Sequence, residues 1–207
     1  MQAISGKVAV PNVQPESFKF TQKVMEEVRE IISRYPEGRQ ASAVLPVLML
    51  AQRECGNWLP RAAMEHVAEL LDMPPMKVYE VATFYSMYNL EPMGKYHVQL
   101  CTTTPCWLRG SDAIVKAAKE HLGVGLGETT ADGMFTLSEV ECLGACVNAP
   151  MCQVKSAEHD AFYEDLSAES VVSLLKDLAE GRRMKAGSRT GRHSSEPAGG
   201  ATTLKGE

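Results

Sequence analysis

The chain has 207 residues, 44% of them apolar, and a formal net charge of −5. That length suits one ordinary domain or two small ones, and the apolar share is enough for a real core. The acidic balance argues against a nucleic-acid partner, which would need a basic surface. No run reaches the roughly 18–20 apolar residues that span a bilayer, so direct membrane insertion is not expected.

Residues 1–16 read as an irregular leader: Pro11 and Pro15 block a helix, and no apolar stretch there resembles a secretion signal. Six cysteines are too sparse for a secreted disulfide scaffold, which points to a reducing, cytoplasmic setting.

From 17 to 90 the pattern is helical. Phe20, Val24, Val28, Ile31 and Ile32 recur at spacings of three and four, so one apolar stripe runs to the Tyr35-Pro36-Glu37-Gly38 break. Ser42 can cap a second helix through Val44, Leu45, Val47, Leu48 and Ala51, with Pro46 in its first turn. Pro60 opens a third over 61–71, and Asp72-Met73-Pro74-Pro75 separates it from a fourth over 76–88. Short loops between such helices predict an antiparallel bundle. Met49, Met64, Met76 and Met87 fit its core or an adaptable interface.

The period then changes. Lys95–Leu100 alternates and predicts a strand running straight into Cys101. A helix is expected over 111–121, ending in the turn Gly123-Val124-Gly125-Leu126-Gly127. Residues 134–140 predict a second strand, 151–155 a third and 157–166 its hairpin partner. A last helix over 168–178 takes Ser167 as N-cap. Helices first, then strand–helix–strand–strand–helix over 95–181, predicts an α+β protein: an antiparallel bundle followed by a thioredoxin-like α/β domain. Residues 182–207 hold six Lys or Arg and two Glu, a net of +4, which leaves −9 on the other 181 residues. Few large apolar groups occur there, so this stretch predicts a flexible basic tail able to order on an acidic partner.

The chemistry lies in two cysteine pairs, Cys101–Cys106 (C-x4-C) and Cys142–Cys146 (C-x3-C), each in a loop at the end of a predicted strand. Thiolates suit either zinc or an iron–sulfur cluster, and the spacing alone does not decide between them. Neither half follows the common ferredoxin runs, and a thioredoxin redox site would need C-x-x-C. Turns of Thr, Gly and Ala let backbone amides approach sulfur, and the hydroxyls of Thr102, Thr103 and Thr104 are further candidate donors. Trp107 is expected to pack in the core. Cys55 reads as a small buried hydrophobe, and Cys152 as a buried strand residue with a role beside the site as the alternative. His97 reads as a strand histidine and not a ligand. No Walker loop and no G-x-G-x-x-G after a strand is present, so no catalytic residues are expected on this chain.

The segments Cys101-Thr-Thr-Thr-Pro-Cys106, 140–154 (VECLGACVNAPMCQV), 163–166 (YEDL), 78–88 (VYEVATFYSMY) and 56–60 (GNWLP) resemble a known family. It is the thioredoxin-like [2Fe–2S] subunit family of the NADH-oxidising module of respiratory complex I, and the resemblance covers about residues 17–181. It implies one [2Fe–2S] cluster on Cys101, Cys106, Cys142 and Cys146, and an electron-transfer role within the proton-translocating NADH:quinone oxidoreductase. It also implies docking to a flavoprotein subunit that carries FMN and the NADH site, in company with further peripheral-arm subunits at the inner face of the cell membrane. Cys152 departs from the family, which has an apolar residue such as Val or Met there. Related subunits serve NAD-linked hydrogenases and formate dehydrogenases, although Ser195–Leu204 looks more like the complex I branch. A zinc-stabilised docking module without redox role is the alternative from another class.

Overall fold

The structure, a computed structural model, describes residues 13–182, 184–196, 199–200 and 203. Most of the expected leader, residues 1–12, lies outside them. The chain divides into two compact units, one comprising 10–95 with 156–158 and the other 96–155 with 159–207, apart from the first few residues.

The first unit is helical: α1 Gln22–Ser33, α2 Val44–Glu54, α3 Arg61–Leu70 and α4 Pro75–Phe84. The Thr21 hydroxyl accepts from the Val24 amide and caps α1. Ser42 does not cap α2 as its residue type suggests, because it lies inside a 3-10 turn over Gln40–Ala43 that feeds the helix directly. Helix α4 stops at Phe84, earlier than the apolar pattern implies: Tyr85 turns extended and the chain leaves the helix. Helix α2 packs on α1, α3 and α4, and Val47, Leu48, Ala63, Val67 and Val78 form the buried centre. The buried Gln52 amide staples the end of the unit, accepting from the Asn89 amide and donating to the Met87 carbonyl. Met64 is buried, Met49 and Met87 pack partly against the core, and Met76 is exposed.

The second unit carries β1 Tyr96–Cys101, α5 Thr104–Leu108, α6 Ser111–Leu122, β2 Glu128–Thr129, β3 Phe135–Val140, β4 Cys152–Lys155, β5 Asp160–Glu164, α7 Ala168–Ala179 and β6 Gly187–Ser188. The sheet order is β2-β3-β1-β4-β5-β6. Strand β1 lies parallel to β3 and antiparallel to β4, and β4 and β5 form the hairpin. The β1-to-β3 crossover passes through α6, as parallel pairing requires. Helices α6 and α7 pack on each other, and Val98, Leu100, Leu137, Val154, Leu174 and Leu175 fill the core of this unit. Gly123 ends α6 with φ +69, so the glycine-rich turn is a helix C-cap. Ser167 caps α7 reciprocally with Ser170.

Two short elements escape the sequence pattern. Residues 102–105 are not a plain turn, because α5 begins inside them, with Pro105 in its first turn where no amide is lost. Part of the expected flexible tail is also structured: Gly187–Ser188 pairs with Tyr163–Glu164, and Arg192 forms an ion pair with Asp165.

Replacing Leu174, fully buried between sheet and helices, by Ala is expected to cost about 2–5 kcal/mol in urea unfolding. Ser167→Ala, which loses only the cap of α7, is expected to cost about 1 kcal/mol in the same measurement.

Candidate metal centre

Parallel pairing of β1 with β3 sets Cys101 opposite Val140, so both cysteine loops leave the same end of the sheet. After β1 the chain turns at Thr102 and Thr103 into α5, which places Cys106 one helical turn back towards Cys101. After β3 the loop reverses at Gly144, whose φ of +84 is the left-handed conformation that other residues strain to adopt. A 3-10 turn over Cys146–Asn148 follows, and the chain enters β4 through a cis Ala149–Pro150 peptide.

The four sulfurs stand as two interacting pairs. Cys142 and Cys146 lie 3.3 Å apart and are exposed, whereas Cys101 and Cys106 are buried and interact with each other. Cross-links tie the pairs together: the Thr103 hydroxyl is 3.3 Å from Cys101 and also reaches Cys142, and the Leu143 amide donates to Cys101. The Gly144 amide lies 3.4 Å from the Cys142 sulfur, and the Met151 amide donates to Cys106. Ala149, Met151, Leu143, Ala145 and Phe162 form a small apolar nest around the inner pair.

These contacts divide each pair electrostatically. Burial works to raise the Cys101 thiol, but bonds from Thr103, Cys106 and Leu143 hold it below the ordinary value. Burial, together with its bond to Cys101, pushes Cys106 up to about 12. The Gly144 amide, then Cys146 and Thr103, lower Cys142, while its bond to Cys142 raises Cys146. Within each pair one sulfur is lowered and its neighbour raised, and a bound cation must displace whatever thiol protons remain.

The donor set fits an iron–sulfur cluster: four thiols, amide and hydroxyl donors aimed at sulfur, and an apolar floor. Among the described residues no group of three or more His, Cys, Asp or Glu side chains is closed to the spacing of a single bound ion.

The remaining candidates fall elsewhere. Cys152 is fully buried on the opposite face of β4 from Met151, packs among the core residues against α6 and α7, and is pushed up to about 12 by burial. Its departure from the family pattern therefore falls in the helix-covered core and not in the cysteine nest. Cys55 packs partly against the bundle core and is likewise raised to about 12, by burial and by Glu54. His97 bonds through Nε2 to the Ser138 hydroxyl at 2.8 Å, and burial, then Lys155, lowers it to about 4, so it is neutral at pH 7. Trp107 does not pack in the core: α5 turns its side chain outward, 56% exposed, with Leu108 beside it and Val147 exposed on the second cysteine loop. Among the site's groups, the sequence pattern does not reveal the Leu143 and Met151 amides or the Arg192 guanidinium, which donates to the Val147 carbonyl at 2.7 Å. Arg192 stands in a basic, polar run with no local signal to single it out.

The family model for thioredoxin-like [2Fe–2S] ferredoxins matches residues 28–179. A protein of Rickettsia felis named as a subunit of NADH-quinone oxidoreductase is 54% identical over 163 residues, covering 79% of this chain and 95% of the relative. The mitochondrial NADH dehydrogenase [ubiquinone] flavoprotein 2 of Dictyostelium discoideum is 47% identical over 193 residues, covering 93% of this chain and 76% of the relative. The crystal structure of an air-oxidized NAD+-reducing [NiFe]-hydrogenase superposes with a TM-score of 0.55 at 18% identity, over 67% of this chain and 23% of that one, a likeness of fold. With its α+β architecture and both cysteine loops at one end of the sheet, this chain belongs to the thioredoxin-like [2Fe–2S] ferredoxin family.

Proposed function

We propose that this chain is the electron-transfer subunit of the NADH dehydrogenase module of a respiratory NADH:quinone oxidoreductase. In this reading Cys101, Cys106, Cys142 and Cys146 hold one [2Fe–2S] cluster beside a partner flavoprotein that carries FMN and the NADH site. The observation that carries it is the convergence of four thiols from the β1 and β3 loops, in a chain more than half identical to a protein named as a subunit of NADH-quinone oxidoreductase.

When bound, the cluster supplies one-electron storage, and the residues of this chain set its surroundings. The amides of Leu143, Gly144 and Met151 and the Thr103 hydroxyl donate towards sulfur and favour the anionic ligands. The apolar nest excludes water from Cys101 and Cys106, while Cys142 and Cys146 face outward and form the side nearest a partner. Trp107 and Leu108 after Cys106, and Val147 after Cys146, are exposed apolar groups of the kind a docked protein covers. On the bundle, Met76, Tyr79, Phe84 and Tyr85 expose a second apolar surface that suits the same flavoprotein. No helix among the described residues is long and apolar enough to cross a membrane. In this reading the chain attaches at the inner membrane face through other subunits of the complex.

Each of Cys101→Ala, Cys106→Ala, Cys142→Ala and Cys146→Ala is expected to lose the two-iron, two-sulfide content and the reddish-brown colour of the purified chain, while Cys55→Ala keeps both. A Cys142→Ala protein with unchanged iron, sulfide and visible spectrum would sink the ligand assignment, and a colourless wild-type protein holding zinc would favour a structural site instead.

The assembly is tested by affinity purification of the tagged chain from its native cell. The expected companions are an FMN-containing flavoprotein and peripheral-arm subunits. Recovery with the large subunit of a hydrogenase or formate dehydrogenase instead would move the chain to those related complexes.

A further inference from the structure

Outside the cysteine nest, a polar cluster in this unit gathers on Asp165, whose side chain is only 6% exposed and whose φ is +52. Three side chains from the segment after α7 bring four donor atoms to its carboxylate. Ser188 donates from its hydroxyl at 2.6 Å and Thr190 at 3.3 Å, and Arg192 brings Nη2 to 2.7 Å and Nε to 3.2 Å. Burial alone would raise this carboxyl, but Arg192, Ser188 and Thr190 together hold it below its ordinary range.

The same Arg192 Nη2 donates to the Val147 carbonyl at 2.7 Å, one residue after Cys146. On the other side of that carbonyl, the Asp165 amide donates to the Asn148 carbonyl at 2.7 Å, and the Asn148 side chain donates to Glu164 at 2.7 Å. Strand β6 fixes the approach, with the Arg189 amide on the Glu164 carbonyl at 2.9 Å. Two successive carbonyls of the cysteine loop are therefore held from one buried aspartate, one through its own amide and one through the arginine it orients.

Resting on the ligand set proposed above, we propose that residues 187–192 are a clasp and that Arg192 is a positioning residue for the Cys142–Cys146 loop. Cys142 and Cys146 are the exposed pair, and their loop is joined to the sheet through β3 on one side and the Val147–Pro150 segment on the other. A planar guanidinium that bridges a carboxylate and a carbonyl fixes both distance and orientation, which an ammonium reaching one acceptor at a time does not. The clasp thus fixes where Cys146 stands relative to Cys142, and with it the geometry these two sulfurs present to iron.

The test compares wild-type chain with Arg192→Ala and Arg192→Lys. In the iron-free chain, hydrogen exchange at the amides of 147–149 is expected to quicken about tenfold or more in Arg192→Ala, the scale of one lost charge-assisted bond. In the loaded chain, Arg192→Ala is expected to keep two irons and two sulfides but to release iron to a chelator about tenfold faster, and to shift the g-values of the reduced protein's EPR signal. Arg192→Lys is expected to fall between Arg192→Ala and wild type in all three readouts. If Arg192→Ala loosens residues 187–191 while exchange at 147–149, iron release and g-values stay as in wild type, the clasp does not act on the cysteine loop. The exchange measurement involves no iron, so it separates failure of the clasp from failure of the ligand set, which Cys146→Ala tests on its own.

Discussion

The candidate centre depends on the parallel pairing of β1 with β3. In parallel strands both C-termini leave the sheet at one end, and the register that sets Cys101 beside Val140 brings two loops forty residues apart in sequence into contact. Antiparallel pairing of the same strands would send the two cysteine pairs to opposite ends. Everything that makes parallel pairing possible is thus part of the site: the α6 crossover, its glycine C-cap, and the α6–α7 layer that buries Val98, Leu100 and Leu137.

Once the loops meet, hydrogen bonds to sulfur do most of the local work. A thiol buried among apolar groups is held in its neutral form, as Cys55 and Cys152 are, both raised to about 12. Cys101 is buried as deeply as many core residues yet is lowered, because two groups of Thr103, the partner sulfur and the Leu143 amide all favour its anion. The distinction between Cys101 and the likewise buried Cys152 is therefore set by the hydroxyl, sulfur and amide groups aimed at Cys101, more than by burial.

That distinction marks how far the sequence can be read. The cysteine pairs are legible because four thiols at strand ends have few other uses, and the helix-then-sheet order follows from the switch in apolar spacing between Tyr88 and Lys95. Amide direction is not legible, since it is decided by backbone dihedral angles such as the left-handed φ at Gly144. The size of Trp107 suggests burial, whereas its position on α5 is fixed by Cys106, which takes the inward side of the same helical turn. Ser42 looks like a cap by residue type, but the preceding 3-10 turn already supplies helical geometry there. The two-residue strands β2 and β6 are too short to show an alternation, and the basic run around Arg192 is polar enough to pass as solvated chain. Each of these is a case of tertiary context overriding a local preference.

The two edges of the sheet share an unusual trait: each ends in a strand only two residues long, β2 on one side and β6 on the other. A long open edge offers a row of unpaired amides and carbonyls onto which another chain can zip, the usual seed of aggregation. Two residues offer almost no template, and both ends are bent by glycines in the left-handed conformation, Gly127 beside β2 and Gly187 within β6. Each outermost strand therefore gives a second copy of the chain little backbone to pair with, while β3 and β5 run on past their two-residue partners.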